Sequence, residues 1–454
     1  MSYYLFTTMA SDDLGLLTRS LPVARELARR GHRVAFCNPA AAPRRLIADA
    51  GLPNLPLHHP AHRINDLRAS GELNLHGLAR LSTEFGGPLA FTQQFLHAIP
   101  TRLASPTAQI WNVDHMMAMT GMLSENFVRA EYQAMRSLFE QEKPDVIVDA
   151  WNPAACLAAR VMRKPLASLL QADVHPASRG FIWWKETPPA LPGVTVIYNK
   201  ILAESGFAPL RKIEELLVGD LTLVMGLPET DPLPASANVH YIGAILWQNG
   251  AAQLPAWINN LPGDQPLVWV YPGNPRYLPV PSPLDGEGII RVCIEALGGE
   301  KLQVVLSSGH HPLPKKFLPL PKNFTHADYL PGLAMAERCD LMIHHGGYGS
   351  CQTGLYTGTP AVIIPTFSER ESNARRVAAA GAAEFALPGG NPFGALWGKW
   401  GADPVEVREK TWRVLNTSSY QENARRVSQK LKASGGSSAA ADLIEQMMST
   451  SALI

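Results

Sequence analysis

Apolar residues along this chain recur in two alternating rhythms. Short unbroken runs of five to eight end in glycine or a small polar residue, and longer stretches repeat at helical spacing. Tyr3 to Ala10 is the first such run and predicts a buried strand. The loop Ser11-Asp12-Asp13-Leu14-Gly15 follows, then Leu16, Leu21, Val23, Ala24, Leu27 and Ala28 at the period of a helix, with Gly31 as its stop and Val34-Ala35-Phe36 opening another strand. Further strand runs are predicted at 144–150, 166–170, 220–226 and 239–243, with a long helix from Ser124 to Gln141. Residues 58–107 lack a clear period and read as loop-rich. Residues 246–264 hold Gly, Pro and Asn without periodicity, as a linker does. The rhythm restarts at Pro266–Asn274 and repeats at 302–309, before His345 and at 361–365; amphipathic helices fill 404–448. Strands alternating with helices predict an α/β chain of two doubly wound, Rossmann-like parallel-sheet domains, at 1–245 and 265–435, with a last helix at 436–454.

Composition narrows the class. A length of 454 residues suits two domains, and 46% hydrophobic residues can fill two cores. A net charge of +1 and the lack of a basic run give nucleic-acid binding no electrostatic support. Five scattered cysteines lack metal-ligand spacing and suit a reducing cytosol. The first ten residues lack a basic n-region, and no apolar run is long enough to span a bilayer, so a cytoplasmic protein is expected. No metal-ligand set is read from the sequence.

The chemistry concentrates at His345-Gly346-Gly347-Tyr348-Gly349-Ser350. A strand that breaks into glycines and then opens a helix is suited to hold an anion. Glycine lets the backbone approach closely, and the free N–H groups of the helix start point at the charge. Ser350 adds a hydroxyl and His345 a ring nitrogen. Two further strand-to-glycine turns, at Gly273 and Gly309, are expected on the same sheet, with carboxyl ends facing one crevice.

The surrounding residues resemble the donor signature of family 1 glycosyltransferases, which have the two-domain GT-B fold. The match runs through Tyr329-Leu330-Pro331, His345 to Ser350, Gly358-Thr359-Pro360, Pro365 and the pair Glu369-Arg370, and again through Leu21 to Val34. It is strong at 15–37 and 325–376. Gly332, Thr353, Glu369 and Arg370 depart from the family's residue types.

The resemblance implies an inverting, metal-independent transfer of a sugar from a UDP or dTDP donor to a small hydrophobic acceptor in an inter-domain cleft. The nucleotide sugar is then a substrate, and no cofactor is needed. It also implies an acceptor-binding first domain, and a C-terminal helix returning to it. His345, Gly346, Gly347, Gly349 and Ser350 would hold the diphosphate. Tyr329, Ser308 and Thr353 would meet the nucleoside, and Glu369 and Arg370 the sugar. Thr353 stands where the family has a ribose-gripping glutamate, a substitution that suits a deoxyribose. Leu16 stands where many members have a catalytic histidine, which moves the base to Asp13, Asp12 or Asp149. His115, His175, His310 and His311 are secondary candidates. Met116, Met119, Phe181 and Trp183, with Met117, Met122 and Trp184 beside them, are expected at the acceptor pocket. Other GT-B chemistry, such as nucleotide-sugar epimerisation, and a non-catalytic nucleotide- or partner-binding role are the alternatives.

Overall fold

The computed structural model describes residues 1–10, 14–101, 109–248, 253–273, 286–309, 311–389 and 401–451. Asp12, Asp13 and His310 lie outside them.

The first half builds a six-stranded sheet, all parallel, in the order β2-β1-β3-β4-β5-β6. Its strands are β1 (Tyr3–Thr8), β2 (Arg33–Cys37), β3 (Val146–Ala150), β4 (Leu166–Leu170), β5 (Leu221–Met225) and β6 (His240–Gly243). The inner strands are buried along their whole length because helices cover both faces. On one face α7 (Glu125–Glu142), α8 (Pro153–Val161) and α9 (Thr195–Glu204) bury Val128, Phe139, Leu157 and Tyr198. On the other, α1 (Leu17–Arg29) buries Leu21, Ala24 and Leu27 against Tyr4, Phe6 and Phe36.

The second sheet also has six parallel strands, in the order β12-β11-β10-β7-β8-β9. They are β7 (Leu267–Tyr271), β8 (Gln303–Ser307), β9 (Phe324–Ala327), β10 (Leu341–His344), β11 (Ala361–Ile363) and β12 (Ala383–Phe385). The chain winds from β7 through β8 to β9, then returns to the other side of β7 with β10. That reversal opens a crevice at the carboxyl ends of β7 and β10, and the glycine turns after both strands lie there.

Two segments differ from expectation. Residues 60–97 are not loop-rich; they form α3 (Pro60–Ala69), α4 (Leu75–Glu84) and α5 (Pro88–His97). Local start signals build these helices in place of a long apolar stripe. Proline sits in the first turn of α3 and of α5, and the Asn74 side chain accepts from the Gly77 amide at 2.9 Å. Their shared core is small, centred on Leu67, Leu81 and Phe85. The three-residue edge strand β12 also lacked a visible apolar run.

The end of the chain crosses back. Helix α16 (Ser418–Ala433) packs on α13 (Tyr348–Thr357) of the second half, and α17 (Gly436–Ser451) packs on α1, β5 and β6 of the first. Ala440, Ala441 and Ile444 are fully buried there. Arg30 Nη1 bonds Asp442 and Glu445, both at 2.6 Å, and His32 Nε2 meets Glu445 Oε1 at 2.7 Å. Among the described residues no helix is long and apolar enough to cross a membrane.

Because Ile444 is enclosed by the first half, Ile444→Ala should cost about 2–5 kcal/mol. Urea unfolding followed by tryptophan fluorescence should show a lower midpoint; an unchanged midpoint would mean that α17 is not docked.

Candidate functional site

Strand β10 is buried, and its last residues turn sharply into α13. The turn needs glycine twice. Gly346 has φ +82°, and a Cβ there would lie 2.7 Å from the Arg370 carbonyl oxygen. A Cβ on Gly347 would lie 2.3 Å from His345 Nε2. No side chain caps the start of α13, so its first amides are not occupied by a capping group. Gly349 is exposed and Ser350 half-buried at that start. The turn after β7 closes the other side, where a Cβ on Gly273 would be 3.1 Å from His345 Nδ1.

His345 is buried, and its Nδ1 has no hydrogen-bond partner. Burial, then the charges of Arg370 and His344, hold its pKa well below the usual imidazole value. The ring is therefore neutral at pH 7, and a backbone hydrogen bond at Tyr271 opposes the shift. Asn373 supports the turn from α14 (Ser368–Ala379): its Nδ2 donates to the Gly346 carbonyl at 3.0 Å and to Glu369 Oε1 at 2.9 Å.

Of the other candidates, Thr353, Glu369 and Arg370 lie at this turn, whereas Ser308 and Tyr329 follow β8 and β9. Tyr329 lies between β9 and α12 (Gly332–Arg338) and is 44% exposed. The Thr353 hydroxyl donates to the Gly349 carbonyl at 2.8 Å, folded along its own helix. Ser308 is fully buried; it bonds the His311 carbonyl and lies 2.8 Å from His326 Nε2. Glu369 Oε1 also accepts from Gln171, past the end of β4, at 3.2 Å. Arg370 turns back to the Thr366 hydroxyl and over the Phe367 ring at 4.9 Å.

A polar junction beside the turn joins the two halves. Helix α14 presents Ser368, Ser372 and Arg376 four residues apart on one face. Ser368 Oγ accepts from the Ile110 amide at 2.6 Å. Ser372 Oγ donates to Asp173 Oδ2 at 2.9 Å and accepts from the Trp183 indole at 2.9 Å. Arg376 pairs with Asp173 and lies 3.7 Å from Asp231. Tyr348, the first residue of α13, reaches the Met225 carbonyl and, at 3.1 Å, Asp231 Oδ1. Burial pushes Asp173 up to about 7 and Asp231 up to about 6, each opposed by the Arg376 charge. The sequence reading missed Asp173, Asp231, Tyr348 and Arg376 in this role. The four-residue spacing of Ser368, Ser372 and Arg376 was the one signal available.

Several first-half expectations need correction. Asp149 is fully buried, and both its oxygens are engaged: Oδ1 by the Thr7 hydroxyl at 2.5 Å, Oδ2 by the Asn152 amide at 3.0 Å and the Cys156 thiol at 3.2 Å. It ties β1 to the turn after β3 and has no open oxygen for a substrate proton. Phe181 is fully buried in the first core, stacked on Trp151, so it does not line an open pocket. Met116 and Met122 pack against the same core half-buried, Met117 is wholly inside, and Met119 is half-buried. Trp183 docks α14, and Arg375 covers the neighbouring Trp184 ring at 4.3 Å. His115 and His175 bond local amides, of Trp111 and Ala177. Leu16 is half-buried and packs against the first core.

Two stability measurements follow. Arg376→Ala strands two buried carboxylates and should cost about 3–5 kcal/mol in denaturant unfolding. For Asp149, burial raises the folded pKa to about 7, above an unfolded value near 3.9. The stability it contributes is full below pH about 4 and is lost as pH rises through about 7. The melting temperature of Asp149→Asn should therefore gain on that of the unmodified protein between pH 5 and pH 8. A constant difference across that range would refute the assigned shift.

Comparison with known proteins bears on the same turn. Residues 302–447 match the family "Erythromycin biosynthesis protein CIII-like, C-terminal domain". An uncharacterized UDP-glucosyltransferase, YojK, of Bacillus subtilis (strain 168) is 34% identical over 152 residues, which cover 34% of this chain and only 35% of that protein. A PGL/p-HBAD biosynthesis glycosyltransferase of Mycobacterium tuberculosis (strain ATCC 25177 / H37Ra) is 24% identical over 65% of this chain and 69% of its own length. Among solved structures, glycosyltransferase VinC in complex with dTDP superposes with a TM-score of 0.62 at 16% identity, covering 98% of both chains, and so shares the fold. Residues 302–447 thus match this family model, the curated relatives that the chain resembles are glycosyltransferases, and the whole chain shares the fold of solved glycosyltransferases.

Proposed function

We propose that this protein transfers a sugar from a nucleoside-diphosphate donor, with inversion, to a small apolar acceptor. The observation that carries the reading is the uncapped start of α13 behind Gly346 and Gly347, beside neutral, buried His345, at the crevice between β7 and β10. A departing diphosphate gathers negative charge. Helix-start amides near that charge, with His345 beside them, stabilise it more in the transition state than in the ground state. Ser350 adds a hydroxyl, and half-exposed Tyr329 offers a face on which a base can stack.

Glu369 accepts sugar hydroxyls in this reading, since Gln171 and Asn373 hold its Oε1 and leave Oε2 to a ligand. Thr353 cannot reach two ribose hydroxyls as a glutamate does, which favours a deoxyribose donor. The nucleotide bound to VinC, dTDP, agrees with that choice. The base that takes the acceptor proton is assigned to Asp13 or Asp12, in the loop after β1. Enclosed Asp149 supports the turn after β3 from behind. Residues of the first half, Met119 among them, bind the acceptor, and the protein acts in the cytoplasm without a cofactor.

Isothermal titration with dTDP, UDP and GDP tests the site. His345→Ala should weaken diphosphate binding about tenfold or more, a loss of roughly 1.4 kcal/mol or greater. Unchanged affinity would remove the diphosphate assignment. Thr353→Glu should move preference from dTDP toward UDP. A natural protein that binds UDP far more tightly than dTDP would contradict the deoxyribose reading. With donor and acceptor present, the anomeric configuration of the product decides inversion.

A further inference from the structure

Away from the donor turn, His59, His62 and Glu131 meet inside the first half. Each offers one ligand atom, and the three atoms lie within 4.8 Å of one another. His59 precedes α3, His62 lies in its first turn, and Glu131 comes from α7. All three are buried: His59 is 1% exposed, His62 7% and Glu131 8%. The His59 and His62 rings are 4.4 Å apart, and His59 Nε2 is 3.7 Å from Glu131 Oε1.

A simple ion pair explains only part of this group. His62 Nε2 bonds Glu131 Oε1 directly. His59 has no hydrogen-bond partner at either ring nitrogen, although its side chain is wholly enclosed. A buried imidazole without partners gives up its bonds to water for nothing in return. We propose that His59, His62 and Glu131 bind one divalent cation of the zinc class, which fastens helices α3–α5 to α7.

The donor set fits that cation. Two imidazoles and a carboxylate are the nitrogen and oxygen ligands zinc takes, and three protein ligands leave a fourth position for water. Ligand atoms about 2.0–2.1 Å from a tetrahedral ion lie about 3.3 Å apart. The His59–Glu131 separation is already close to this, and the His62–Glu131 contact opens when the ion enters. The ion takes the lone pair of His59 Nε2, and the ring proton stays on Nδ1. The location explains the use. Helices α3–α5 share a core centred on only three buried residues, and a metal crosslink adds the attachment that so little apolar burial cannot.

The test uses the full chain, freed of metal by chelator and dialysis. One equivalent of Co²⁺ should give tetrahedral visible absorption, displaced by Zn²⁺. Zn²⁺ should raise the melting temperature by several degrees, and Mg²⁺ should not. His59→Ala and Glu131→Gln should each abolish both effects, while His240→Ala, an exposed position on β6, should keep them. If His59→Ala does not fold, Glu131→Gln, which keeps the side-chain shape, decides. Absence of stoichiometric binding, or binding that survives Glu131→Gln, overturns the proposal. Affinity for dTDP should be the same with and without Zn²⁺, which separates this site from the donor turn.

Discussion

The pairing of Arg376 with two buried aspartates is the interaction on which the rest of the structure depends. Asp173 and Asp231 follow β4 and β5 of the first sheet, whereas Arg376 belongs to a helix of the second. Each carboxylate has lost its water, and burial alone would drive both toward the protonated form. The guanidinium opposes that shift and is available only when the two halves are in register. A mispositioned half would leave charges buried without partners, a costly state. The junction therefore selects one arrangement of the two sheets.

That arrangement reaches the glycine turn before α13 directly. Tyr348 is both the first residue of α13 and a member of the apolar cluster built by β1, β3 and α1 of the first half. Its hydroxyl lies against Asp231 and the end of β5. The start of this helix is thus held in place by the first half of the chain. Asn373 and Glu369, on the helix that carries Arg376, support the same turn from below. Support of the glycine turn and docking of the two halves share side chains, so a change at one is felt at the other.

Much of this was legible in the sequence because it is local. The alternation of apolar runs with helical stripes states strand and helix directly, and the parallel sheets follow from it. The glycine turn was legible because the left-handed backbone at Gly346 and the close approach of the His345 ring to Gly347 disfavour other residues. Helices α3–α5 were not, because caps and prolines define them in place of a broad apolar face. Phe181 and Asp149 were read as open to substrate because a residue's type does not state its burial, and both are wholly enclosed.

The sequence by itself determined the elements, their alternation and the glycine turn between β10 and α13, since each depends on residues within one turn or strand of one another. Only the tertiary structure decided which polar residues meet. Asp173 and Arg376 are 203 positions apart, Tyr348 and Asp231 are 117 apart, and His62 and Glu131 are 69 apart. No spacing rule connects such positions. They come together because crossovers bring the strand ends of each sheet to one side and because α14 and α7 turn particular faces toward them. The chemistry of those groups is set by what surrounds them after folding.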